Sequence, residues 1–63
     1  MPRSSAADAA RTAERIRDCA LDLFAEHGYS GVALEDVAHA AQVTRGAVYH
    51  HFRNKDGLFR AVA

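Results

Sequence analysis

Apolar residues recur at three- and four-residue intervals along most of the chain, the spacing of helices that each bury one side. Between Arg11 and His27 the stripe is Ile16, Ala20, Leu23, Phe24 and His27, with Cys19 adjoining it. Arg15, Asp18, Asp22 and Glu26 lie mostly away from it. This predicts a first helix over 11–27, ended by Gly28, which suits the left-handed position after a helix. The Asp18–Asp22–Glu26 series sets like charges four apart, a small local cost. Tyr29 to Ala33 reads as a loop, with Gly31 permitting a turn. A second helix is predicted over 34–41. Leu34, Val37, Ala38 and Ala41 form its inner side, and Glu35 and Asp36 occupy the first turn, where carboxylates suit the helix dipole. Its N-cap is weak, because Ala33 has no side-chain acceptor for the free amides.

Gln42-Val43 is then a very short connection, and Thr44 is a good N-cap for a third helix running to about Phe52. Two short helices joined by such a turn make the helix-turn-helix pattern. At about 100° per residue, Val48 and Phe52 point inward together and anchor the third helix to the core. Gly46 and His50 project outward with Tyr49 beside them, and Arg45 sits on the flank near the N-terminal end. Asn54 is the next N-cap, opening a fourth helix whose Leu58 and Val62 share a face with Phe59 nearby. The pattern is unfinished at Ala63, which predicts the front end of a longer polypeptide. The expected fold is all-α: a three-helix homeodomain-like bundle containing a helix-turn-helix, plus the start of a fourth helix. Residues 1–10, rich in Ala and Ser and carrying Pro2, are expected to be a disordered arm in which Arg3 could reach a partner. Residues 11–53 form the expected domain, and 54–63 lead out of it.

Sixty-three residues make one small domain near the lower limit of stability without a staple. The single cysteine, Cys19, cannot form an internal disulfide, and no thiol cluster offers a zinc site. It reads as a small buried hydrophobe in a reducing, cytoplasmic compartment. No apolar run is long enough for a signal peptide or a bilayer span, so no membrane partner is expected. Formal net charge is zero, with eight basic and eight acidic residues, yet the charges are unevenly placed. Between Glu14 and Asp36 six acidic residues, Glu14, Asp18, Asp22, Glu26, Glu35 and Asp36, stand against Arg15 and Arg17. From Gln42 to Lys55 there are Arg45, Arg53, Lys55, two histidines and no carboxylate. That division lets one face approach phosphates while another stays in solvent.

The third helix carries the candidate chemistry. The planar fork of Arg45 can donate two hydrogen bonds to guanine O6 and N7, worth roughly 1–3 kcal/mol of discrimination. Gly46 costs a helix on the order of 1 kcal/mol relative to alanine, and its outward position suggests close approach of the backbone to DNA as the compensation. Tyr49 can reach a phosphate with its hydroxyl while its ring lies against sugar or a thymine methyl. His50 points outward toward bases or phosphate. His51 lies nearer the core and can send one ring nitrogen to phosphate. Thr44 can both cap the helix and contact phosphate, and Lys55 is placed as a phosphate clamp. Adjacent helical histidines diverge and do not converge on one ion, and no other ligand spacing points to a metal. No nucleophile elbow, glycine-rich phosphate loop or paired-carboxylate motif is present, so neither catalysis nor a cofactor is expected.

The series Arg15-Ile16-x-x-x-Ala20-x-x-Leu23-Phe24-x-x-x-Gly28-Tyr29 continues through Leu34-x-Asp36-Val37-Ala38-x-x-Ala41-x-Val43-Thr44-x-Gly46-x-Val48-Tyr49-x-His51-Phe52 to Asn54-Lys55-x-x-Leu58. This ordered series resembles the N-terminal DNA-binding domain of the TetR family of bacterial transcriptional regulators. The resemblance implies that helices two and three form the reading motif, that helix one braces them, and that helix four leads into a C-terminal domain. In the family that domain usually dimerises and binds a small-molecule effector, so a homodimer on palindromic double-stranded operator DNA is implied, with repression as the outcome. It also puts Arg45, Gly46, Tyr49 and His50 toward the bases, and Thr44, Ala47, Tyr49, His51 and Lys55 toward the backbone. Ala47 has no hydroxyl, leaving only its backbone or methyl to serve.

Three positions depart from the family pattern. Gln42 replaces the glycine usual in the turn, and Ala33 lacks the usual Ser/Thr cap. Gly57 stands where an acidic residue would complete a capping box begun by Asn54, so a less firm start to helix four is expected. The alternative reading is a homeodomain-like protein-interaction module, with Arg45, Tyr49 and the histidines as a partner surface.

Overall fold

The helical periodicity is realised in a computed structural model that describes residues 6–63, with side chains from Asp8 onward. Four helices follow in order, α1 (Ala6–His27), α2 (Leu34–Ala41), α3 (Arg45–Phe52) and α4 (Lys55–Val62), and the described residues contain no strand. Helix α1 begins five residues before the expected start at Arg11. The reason is compositional: Ala6, Ala7, Ala9 and Ala10 carry the lowest helical cost of any residue. Asp8 adds a favourable charge in the first turn. Part of the expected arm is therefore helix. Residues 1–5, including Arg3, lie outside the described part.

One core holds the four helices together. Ile16, Ala20 and Phe24 of α1 meet Val32 from the loop, Leu34, Val37, Ala38 and Ala41 of α2, Val48 of α3 and Leu58 of α4. Ile16, Val37, Val48 and Leu58 are completely buried, each contributing about 1.5–3 kcal/mol by leaving water. Leu58 of α4 sits in the same core as Val48 of α3. Cys19 is half-buried against this core. His27, expected on the apolar stripe, is exposed at the end of α1 beside Glu26, at 3.8 Å. The last turn gives its polar ring a solvated alternative to burial.

The short connections set the orientation of α3. Gln42 takes the left-handed conformation at φ 60°, ψ 42°. Its N–H donates to the carbonyl of His39 at 3.2 Å, and the Val43 N–H donates to that of Ala38 at 3.0 Å. This is the Schellman pattern, ordinarily built on glycine. The departure at Gln42 thus leaves the turn intact and charges its cost to local backbone strain. Gly28 takes the corresponding left-handed position after α1, at φ 80°.

Helix α2 starts at Ala33 with no side-chain cap, as expected, but the reciprocal half of a capping box is present. The Asp36 carboxylate accepts the Ala33 N–H at 3.0 Å. Thr44 and Asn54 both cap as the sequence indicates, accepting from Ala47 N–H at 3.1 Å and Gly57 N–H at 2.7 Å. Gly57 is no loose start. A Cβ there would stand 2.8 Å from the Phe52 carbonyl oxygen and 3.2 Å from Asn54 Oδ1, so this tight joint excludes the acidic residue of a complete capping box. Between them Arg53 adopts φ 59°, ψ −52°, and the Asn54 N–H donates to the Phe52 carbonyl. That is a γ-turn of the strained, positive-φ kind.

Candidate nucleic-acid interface

Helix α3 is fixed by its inner side and open on the other. Val48 is fully buried and Phe52 is half-buried against the core. Arg45, Gly46 and His50 are exposed, and Tyr49 keeps 46% of its surface in solvent. Ala47, His51 and Lys55 are intermediate, at the border between the two sides. A Cβ at Gly46 would meet only Thr44 Oγ1, at an ordinary 3.8 Å. The fold gives no reason for glycine at this place.

The N-terminal turn of α3 assigns some groups and frees others. Thr44 Oγ1 accepts the Ala47 N–H, and its own hydroxyl hydrogen remains available as a donor. The Ala47 amide is thereby engaged, leaving the methyl as its contribution to any backbone contact. His50 and His51 have ring centroids 5.2 Å apart with planes at 78°. Among the described residues no group of three or more His, Cys, Asp or Glu side chains gathers to hold a metal ion. None of the described helices is long and apolar enough to cross a membrane.

Arg45, Tyr49, Asn54 and Lys55 line an open concavity of about 500 Å³ together with the segment from Ser30 to Asp36. It brings the start of α2, the outer side of α3 and the start of α4 to one surface. Its two carboxylates are Glu35 and Asp36, and Asp36 is committed to the Ala33 amide. Among the described residues Asp56 pairs with Arg60 and Glu26 lies 3.8 Å from the His27 ring, leaving Arg45, Arg53 and Lys55 without a carboxylate partner. Charges of this kind remain available to an anion.

Two residues in contact with this surface or lining it have roles that the sequence did not single out. Tyr29 carries the Lys55 ammonium over its ring, with Nζ 4.3 Å from the centroid. The ring also stacks near Phe24 at 5.9 Å and meets Phe59 edge-on at 4.9 Å. Only the Gly28-Tyr29 pairing hinted at it, and periodicity does not say which loop aromatic meets which helix. Asp36 was placed in the first turn for its charge, whereas its carboxylate also anchors the backbone at Ala33.

A family model for bacterial regulatory proteins of the tetR family matches residues 16–62. The probable acrEF/envCD operon repressor of Escherichia coli K12 is 46% identical over 59 residues, covering 94% of this chain and 27% of that protein. The HTH-type transcriptional regulator SrpR of Pseudomonas putida is 47% identical over 62 residues, covering 98% of this chain and 29% of that protein. The crystal structure of NalD, the secondary repressor of the MexAB-OprM multidrug efflux pump in Pseudomonas aeruginosa, superposes with a TM-score of 0.85 at 49% identity. That match covers 87% of this chain and 28% of NalD. The chain thus spans little more than a quarter of the length of these relatives.

Proposed function

The chain belongs to the tetR family of bacterial regulatory proteins, and we propose that it is the sequence-reading DNA-binding head of an effector-responsive transcriptional repressor. The observation that carries this reading is the exposed side of α3. It presents Arg45, Gly46, Tyr49 and His50 on a helix locked from behind by Val48, in a segment without carboxylates from Gln42 to Lys55. An arginine fork beside a bare stretch of helix backbone suits base edges in the major groove. Thr44, Ala47, Tyr49, His51 and Lys55 border that side and serve the phosphate backbone, which fixes register without reading sequence.

In the intact protein, residues 11–53 act as the reading domain and 54–63 lead into a C-terminal domain that dimerises and takes a small-molecule effector. Two heads then enter successive major grooves about 34–36 Å apart on a palindromic operator. The site of action is the bacterial cytoplasm, at the nucleoid. Effector binding lowers affinity by changing the separation of the heads.

The test is a salt titration of this chain and its variants on a duplex selected from a randomised pool and on a scrambled duplex. Arg45→Ala is expected to lose the preference between the two, by roughly 1–3 kcal/mol. Lys55→Ala is expected to weaken both equally and to reduce the salt slope by about one. Equal binding of the unaltered chain to every duplex sinks the sequence-reading proposal, and no binding at low salt favours a protein-interaction module.

A further inference from the structure

A lysine that grips phosphate has two physical requirements that conflict. Its flexible stem must be held in place, yet its charge must stay uncompensated. A carboxylate partner meets the first and defeats the second, because DNA must then displace it. An aromatic face meets both: the ring quadrupole attracts the ammonium without neutralising it. Lys55 has such a face and no carboxylate within ion-pairing distance among the described residues.

The ring beneath Lys55 is itself fixed. Tyr29 lies nearly parallel to Phe24 of α1, with 13° between planes, and meets Phe59 of α4 edge-on, at 81°. Phe24 and Phe59 close the trio at 5.1 Å and 89°. Phe24 is buried, whereas Tyr29 keeps 41% of its surface in solvent, an excess of exposure for a residue whose only task is packing. The same Lys55 lines the concavity that holds Tyr49 and Arg45.

We propose that Tyr29 is a positioning residue for DNA binding, whose ring holds the Lys55 ammonium at the rim of the concavity between α2, α3 and α4 for a backbone phosphate. This role rests on the DNA-binding reading given above. It makes the loop after α1 part of the binding apparatus although it need not touch a base. Because the ring is wedged between α1 and α4, the position of Lys55 is set by the packing of those helices and not by its own rotamers.

The test has a DNA-free arm and a DNA arm. In the free chain, proton resonances at the end of the Lys55 side chain should be shifted upfield by the ring current, should stay shifted in Tyr29→Phe, and should return to ordinary values in Tyr29→Leu. On a mixed-sequence duplex at low salt, Tyr29→Leu should weaken binding about two- to fivefold, the range of an exposed cation–π contact, and Tyr29→Phe should restore it. In a Lys55→Ala background, Tyr29→Leu should have no further effect. Should Tyr29→Leu fail to fold, Tyr29→pentafluorophenylalanine, introduced by chemical synthesis, keeps the ring shape but inverts its quadrupole and should weaken binding likewise. Equal weakening by Tyr29→Leu with and without Lys55 overturns the proposal in favour of packing alone, as do unshifted Lys55 resonances in a chain that binds DNA. Shifted resonances in a chain that binds no duplex overturn the DNA-binding reading itself and this role with it.

Discussion

Gly46→Ala should move stability and DNA affinity in opposite directions. Gly46 occupies the first turn of α3 without a positive φ, so alanine can adopt the same backbone. The added Cβ meets only Thr44 Oγ1 at 3.8 Å, a normal contact that subtracts nothing. The helix therefore gains the full propensity difference of about 0.8–1.0 kcal/mol. In a domain of this size that raises the melting temperature by about 4–8 °C per kcal/mol. Under the proposed mode of DNA binding, the added methyl group would stand between the helix and the groove and hold Arg45 away from its base. Losing a two-bond arginine contact worth about 1–3 kcal/mol weakens binding roughly 5- to 150-fold. Thermal unfolding followed by circular dichroism and anisotropy with a labelled, selected duplex measure the two quantities. A lower melting temperature refutes the open placement of residue 46. A higher one with unchanged affinity refutes the close approach of α3 to DNA.

Two further substitutions test the joints on either side of α3. Gln42→Gly should relieve a left-handed side chain costing about 1–2 kcal/mol, offset in part by the greater unfolded freedom of glycine, about 0.5–1 kcal/mol. A urea titration should show a raised midpoint, equivalent to up to about 1.5 kcal/mol of added stability, and a lowered midpoint would contradict the Schellman turn. Gly57→Ala should destabilise by about 1–3 kcal/mol, the usual range for forced overpacking, because its Cβ would stand 2.8 Å from a backbone oxygen. An unchanged melting temperature there would contradict the tight α3–α4 joint.

The features legible in the sequence were those fixed by neighbours along the chain. Leu34–Ala41 and Arg45–Phe52 stand where periodicity and the Thr44 cap placed them. The same holds for Asn54 at the start of α4. Contacts between elements were less legible. Nothing in the spacing of Phe24, Tyr29 and Phe59 says that the three rings meet, or that Lys55 lies on one of them. Val32 read as loop because no period includes it, yet it is buried in the core. The start of α1 was misplaced because alanine lacks an apolar signature strong enough to mark a stripe while being the best helix former. Gly57 looked like a defect only because the carbonyl of Phe52, the group that excludes a side chain there, has no signature in the sequence.

Departures from local rules are concentrated around one eight-residue helix. Gln42 takes a left-handed conformation before it, Gly46 lies inside it, and Arg53 closes it with a strained turn. Sequences usually agree with their fold at every level, and exceptions gather where a site demands them. The three exceptions differ in kind. Gly46 has room for a Cβ, with only an ordinary contact to Thr44 Oγ1, and is unexplained by packing, which supports a demand from outside the protein. Arg53 carries a cation without a carboxylate partner among the described residues, so a glycine that relaxed its backbone would also remove a charge. Gln42 lies in the turn and strains only its own backbone. Strain at Gln42 should therefore be removable without loss of DNA binding, whereas Gly46 and Arg53 should each couple backbone comfort to affinity. Helix α3 has one fully buried anchor of its own, Val48, and is too short to persist alone in water. Its orientation is thus set by α1, α2 and α4, and under the proposed DNA-binding role core changes act on recognition through Val48 and the half-buried Phe52.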